Sequence, residues 1–142
     1  MIFEEIEDAI TAKLKTVQGI KTVETYAGQL EDEIERLPVR FPAVYIVYGG
    51  SAFEAIDGPN YRENVEFNIL VCGKNLRGQA DSRKSELGAY KILTNVLEAL
   101  VNEDFDIEIE QLCPVSVKLV AVTKGIAIYG IDFKTGFDKT YN

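Results

Sequence analysis

The stretch YRENVEFNILVCG (Tyr61–Gly73) decides the fold. Val65, Phe67, Ile69 and Val71 fall on one side of an extended chain there, with Asn64, Glu66 and Asn68 on the other. Alternation of period two marks a strand with one face on a core. Upstream, Asp57-Gly58-Pro59-Asn60 is a turn, because Gly and Pro supply its special dihedrals. Before the turn, FPAVYIVY (Phe41–Tyr48) is β-prone with almost no polar interruption. Such a run predicts a strand covered on both faces. Gly49-Gly50 bends it and residues 51–56 continue it. Together they predict a long antiparallel hairpin.

Further out, helices flank this hairpin. Ile2, Ile6, Ala9, Ile10, Leu14 and Val17 recur at the spacing of one helical face. Glu4, Glu5, Glu7 and Asp8 lie early and Lys13 and Lys15 late, which suits the helix dipole. A helix over residues 2–17 is expected, stopped near Gly19. Residues 20–26 predict a short edge strand, and Gln29 to Leu37 a short acidic helix ended by Pro38. Downstream, residues 73–80 are a loop. Asp81 or Ser82 caps a long helix over 83–102, with Leu87, Tyr90, Leu93, Val96, Leu97, Leu100 and Val101 as its apolar stripe. After an acidic connection over 103–110, Val115, Val117, Leu119 and Ala121 alternate with Ser116 and Lys118. Thr123-Lys124-Gly125 turns the chain and Ile126 to Phe133 returns, with Phe137 and Tyr141 in a tail that can extend the strand. The expectation is one α+β domain over 1–142: a mostly antiparallel sheet of four to five strands, with the N-terminal and long central helices on one face.

Composition narrows the chemistry. The 142 residues contain no histidine. That removes the commonest general base and metal ligand and any Ser-His-Asp or Cys-His pair within one chain. Cys72 and Cys113 are the only cysteines and form no C-x-x-C pair. A reducing compartment fits them. The acids Glu31, Asp32, Glu33 and Glu35, and those from Glu103 to Glu110, lie in polar stretches and match no calcium-loop spacing. They read as solvated surface. No catalytic residue, metal site or cofactor site is expected. A net charge of −8 argues against nucleic acid as the main partner. No apolar run approaches a membrane span, and the first residues carry no secretory pattern. A cytoplasmic place of synthesis is expected.

Gly73 to Gly78 is neither a P-loop nor a dinucleotide fingerprint. With Lys74, Asn75, Leu76, Arg77 and nearby Arg83 it reads first as a solvated loop; its functional candidates are a protein-contact loop and, behind that, a phosphate or nucleic-acid site ahead of a helix N-terminus. Apolar residues on both sides of 43–48 and 126–133 exceed what two helices cover, which points to oligomerisation.

At this point the sequence resembles Mu-like bacteriophage and prophage tail proteins. The likeness spans nearly the whole chain. It rests on the element order, the opening helix Met1 to Lys15, Phe41-Pro42-Ala43-Val44, Asn75-Leu76-Arg77-Gly78 followed by Arg83, Gly88-Ala89-Tyr90, and Leu112-Cys113-Pro114-Val115. The resemblance implies a structural protein similar to tail terminator or completion proteins. These form homo-oligomeric rings, typically hexamers, against the tail tube and head–tail connector. It implies assembly in a bacterial cytoplasm and a place in the virion tail. The rivals are a small cytoplasmic ligand-binding or regulatory module, for which a deep pocket would speak, and an enzyme working with carboxylates alone.

Overall fold

The computed structural model describes residues 2–26, 40–74, 89–123 and 125–142. Along the chain these are helix α1 (Ile2–Lys15) and strands β1 (Thr22–Thr25), β2 (Ala43–Asp57) and β3 (Asn60–Lys74), then helix α2 (Ala89–Leu100) and strands β4 (Cys113–Thr123) and β5 (Ile126–Thr140). The five strands form one open sheet in the order β1-β2-β3-β5-β4. The expected α+β class and antiparallel hairpin are both present. β1 alone is parallel to its neighbour. The acidic helix expected over Gln29 to Leu37 lies outside the described residues.

α1 forms where the apolar spacing put it. Ile6, Ile10 and Leu14 are buried, with Glu4 and Glu5 in the first turn and Lys13 and Lys15 in the last. Each buried aliphatic contributes roughly 1.5–3 kcal/mol of transfer free energy. The helix ends two residues early. Thr16 and Val17 close it with tighter bonds to the carbonyls of Lys13 and Leu14, and Gly19 takes φ +96°. A Cβ at Gly19 would also stand 3.4 Å from Ile92 of α2, so the turn and the helix packing share one glycine.

Both helices lie on one face of the sheet. Their buried residues join Val44 and Ile46 of β2, Val65, Phe67, Ile69 and Val71 of β3, and Ala127, Tyr129, Ile131 and Phe133 of β5 in one core. The opposite face has a smaller cluster of Ala43, Tyr45, Cys72, Ile126 and Ile128, with Tyr26 and Phe41 against it. Two-sided burial is thus found where the uninterrupted runs predicted it.

Two expectations shift. The stripe of α2 is Ala89, Ile92, Leu93, Val96 and Leu100, and Tyr90 is exposed. The cause is close packing: a Cβ at Gly73 would sit 3.1 Å from the Ala89 nitrogen. The small residue faces the strand, and Tyr90 turns aside to meet Tyr129 edge-on at 6.2 Å. The helix stops at Leu100 rather than 102, because Asn102 adopts φ +67° and its N–H bonds the carbonyl of Leu112 at 2.9 Å. The expected helical residues 83–88 lie outside the described part. The tail does extend the last strand: β5 runs on to Thr140, paired with β3 along its whole length.

Candidate assembly surface

The apolar surplus is not where the sequence put it. Residues 43–46 and 126–131 are buried, so these strands are inside the protein rather than awaiting a partner. The surplus sits instead on β4, an edge strand of 11 residues. Val115 is 57%, Val117 44%, Leu119 50%, Val120 58% and Val122 46% exposed. The alternation seen in the sequence is real, since Val117 pairs with Ile131 and Leu119 with Tyr129. However, the helices stop short of this edge. Bulges at 114/116 and 119/121 change the facing, and Val120 leans over Gly130 on the far side. These side chains are divided between the two faces of the strand, and an edge strand with exposed apolar side chains is a template for pairing with another chain.

A second bare edge lies across the sheet. β1 pairs only with Ala43 to Ile46 of β2. Beyond Ile46, β2 runs to Asp57 with no described strand on its outer side. Phe53 and Ile56 are more than half exposed there, and Tyr48 is 43% exposed. Phe53 and Tyr61 each meet Tyr141 edge-on, at 6.3 and 6.0 Å. The Tyr141 hydroxyl donates to Oε1 of buried Glu63 at 3.0 Å. Desolvation, followed by that bond, raises the Tyr141 pKa.

Between the two edges, on the side away from the helices, the sheet curls into a trough of about 420 Å³ lined by Gly50, Ala52, Asn64, Glu66, Val115 and Lys134 among others. It is open and mixed in polarity. At the strand ends, Arg62 makes the best-anchored ion cluster. Its Nη2 lies 2.5 Å from Glu110 Oε2, its Nη1 is 3.9 Å from Asp138, and its Nε donates to Asn64 at 3.2 Å. Gly136 leaves the room, since a Cβ there would stand 2.7 Å from the guanidinium carbon.

Among the predicted contact residues, Lys74 ends β3, while Asn75, Leu76, Arg77 and Arg83 lie outside the described residues. So do Glu31, Asp32, Glu33 and Glu35. Asp106, Glu108 and Glu110 of the second acidic run are exposed. Among the described residues no group of three metal-capable side chains comes together, and no helix is long and apolar enough to cross a membrane. Cys72 is buried and Cys113 exposed, both free. Nothing in residues 47–57 says that β1 stops at Ile46, so this edge of β2, bare among the described residues, is not legible in the sequence.

The family model described as Bacteriophage Mu, Gp37 matches residues 1–138. The chain belongs to that family. This bears out the resemblance to Mu-like phage and prophage tail proteins. Among solved structures, the Gp37-family chain is similar to one from the virion of a native gene transfer agent particle. That match has a TM-score of 0.54 and 18% identity, and it covers 92% of this chain and 84% of the other. At that identity the likeness is one of fold. No curated protein sequence matches this one.

Proposed function

We propose that this Gp37-family chain is a non-enzymatic tail-assembly protein that closes the end of the tail tube as a homo-oligomeric ring, in the manner of tail terminator or completion proteins. The observation that carries the reading is β4: an edge strand of 11 residues with five exposed aliphatic side chains. Among the described residues nothing pairs with the outer side of β4, and a monomer that left that ladder and its aliphatic side chains in water would be an aggregation hazard. A protein built to assemble covers both. Membership of a Mu phage family and a fold shared with a virion chain support the same conclusion.

In this reading the ring is a hexamer made in the bacterial cytoplasm and carried in the virion tail. It meets the tube and the head–tail connector. The segment Lys74, Asn75, Leu76 and Arg77, with Arg83, is the loop that touches a neighbour or the tube, since loops carry contacts on a rigid scaffold. Negative-stain imaging of the purified protein, with light scattering, tests the reading. Six-fold rings are expected, and a stable monomer at tens of micromolar refutes self-assembly. Replacing Lys74 and Arg77 by alanine should leave the fold intact and weaken tube capture in a pull-down. Unchanged capture would remove the loop from the account.

A further inference from the structure

We infer that copies of this chain join head to tail, the outer edge of β4 of one copy pairing with the outer edge of the distal half of β2 of the next. The inference rests on the assembly reading above and adds the surfaces and their polarity.

Two edges of the sheet are bare among the described residues, and they lie at opposite sides of it. One is β4, Cys113–Thr123. The other is β2 beyond Ile46, because β1 covers only four of its 15 residues. The two bare runs are similar in length. Each carries exposed apolar side chains: Val115, Val117, Leu119, Val120 and Val122 on one, Tyr48, Phe53 and Ile56 on the other. Among the described residues neither edge has a strand on its outer side, and a strand from another chain can take up the backbone groups of such an edge.

Charge selects the pairing. β4 carries one cation, Lys118, and no carboxylate. Distal β2 carries two carboxylates, Glu54 and Asp57, and no cation. Joining β4 to β4 sets Lys118 against its own copy. Joining β2 to β2 sets acids against acids in a chain whose net charge is already −8. Only β4 against β2 brings opposite signs together, and like charges opposed across strands are destabilising. A contact between two different edges is heterologous, so it closes into a ring or runs into a filament. The trough supplies the bend. Residues of both edges, Gly50 and Ala52 on β2 and Val115 on β4, line one concavity. A sheet concave on one side is compatible with closure into a ring.

The test uses two blocked variants of the full chain. One carries Val117→Glu and Leu119→Glu on β4. The other carries Phe53→Glu and Ile56→Glu on β2. All four positions are exposed, and circular dichroism checks that each variant folds. In sedimentation velocity, each variant alone should lose assembly, its association weakened by about a hundredfold or more, the scale for a carboxylate forced against an apolar edge. Mixed one to one, they should form a dimer and stop there, because each keeps the edge the other lacks. If the β2 variant assembles like the parent, or if mixing restores nothing, the head-to-tail pairing is wrong while the ring reading survives. A parent chain that stays monomeric defeats both. Hydrogen exchange on the parent chain gives a check independent of the variants. Amides of 51–57 and of 115–122 should both slow on going from dilute monomer to assembly. Protection in one strand only, or in neither, overturns the pairing.

Discussion

Replacing Tyr45 by phenylalanine should stabilise this protein. Tyr45 is fully buried in the smaller core cluster on the face away from the helices. Among the described residues its hydroxyl has no hydrogen-bond partner, whereas in the unfolded chain water satisfies it. An orphaned buried hydroxyl costs about 1–3 kcal/mol. Tyr45→Phe removes that cost, keeps the ring's edge contact with Tyr26 at 6.1 Å, and leaves no cavity larger than one oxygen. The gain should be about 1–2 kcal/mol, or roughly 3 °C in Tm for each kcal/mol in a chain of this size. Urea unfolding at pH 7 measures it. A loss of stability would mean that the hydroxyl is satisfied in solution, and the orphan argument would fall. The alkaline limb gives a second readout. Burial, with smaller effects from Cys72, Glu24 and Tyr26, pushes the Tyr45 pKa from its ordinary 10.0 up to about 12. Burial also pushes the Cys72 thiol from 9.0 up to about 12. Both folded values lie above the unfolded ones. The stability tied to the neutral forms is therefore complete below pH 9 and lost as pH rises toward 12. Each group adds a slope of about 1.4 kcal/mol per pH unit within its own window. Tyr45→Phe should flatten the fall between pH 10 and 12 and leave the part due to Cys72.

Phe67→Ala should cost about 3–5 kcal/mol in urea unfolding, since Phe67 is fully buried, whereas Phe53→Ala should barely move the monomer because Phe53 is 57% exposed. A double-mutant cycle on Arg62 and Glu110 should give a coupling below about 1 kcal/mol that shrinks with salt, because Glu110's side chain is 63% exposed despite the short contact. A larger, salt-insensitive coupling would contradict that screening. A thiol reagent should modify Cys113 quickly and Cys72 only after unfolding, which counting modified thiols by mass reads directly.

The sequence exposed the parts of the fold that are local. α1 and the β2–β3 hairpin are written in periodicities of three-to-four and two, and the turn at Asp57 to Asn60 is written in Gly and Pro. Sheet order is not local. Nothing in residues 113–140 says that β5 inserts between β3 and β4, or that β1 pairs parallel and only as far as Ile46. The same gap misplaced the apolar surplus. An uninterrupted run such as Ala43 to Ile46 reads the same whether its second face is covered by its own chain or by a partner. By contrast, β4 alternates politely and is exposed all the same, because the helices do not reach it. Spacing alone assigns Tyr90 to the core. The deciding contact, Gly73 against Ala89, joins residues whose nearness is tertiary. The candidate loop was legible only as composition and resemblance.

The central position of β5 has a consequence for how the chain is made. β3 finds its second neighbour only through residues as far along as Thr140. During synthesis β4 therefore leaves the ribosome before the strand that occupies its inner side. Until β5 arrives, both sides of that aliphatic segment are open, and contacts between strands distant in sequence form late. In that state β4 offers both of its edges to any other strand, so the order of the sheet makes it the element most open to wrong pairing before folding is complete.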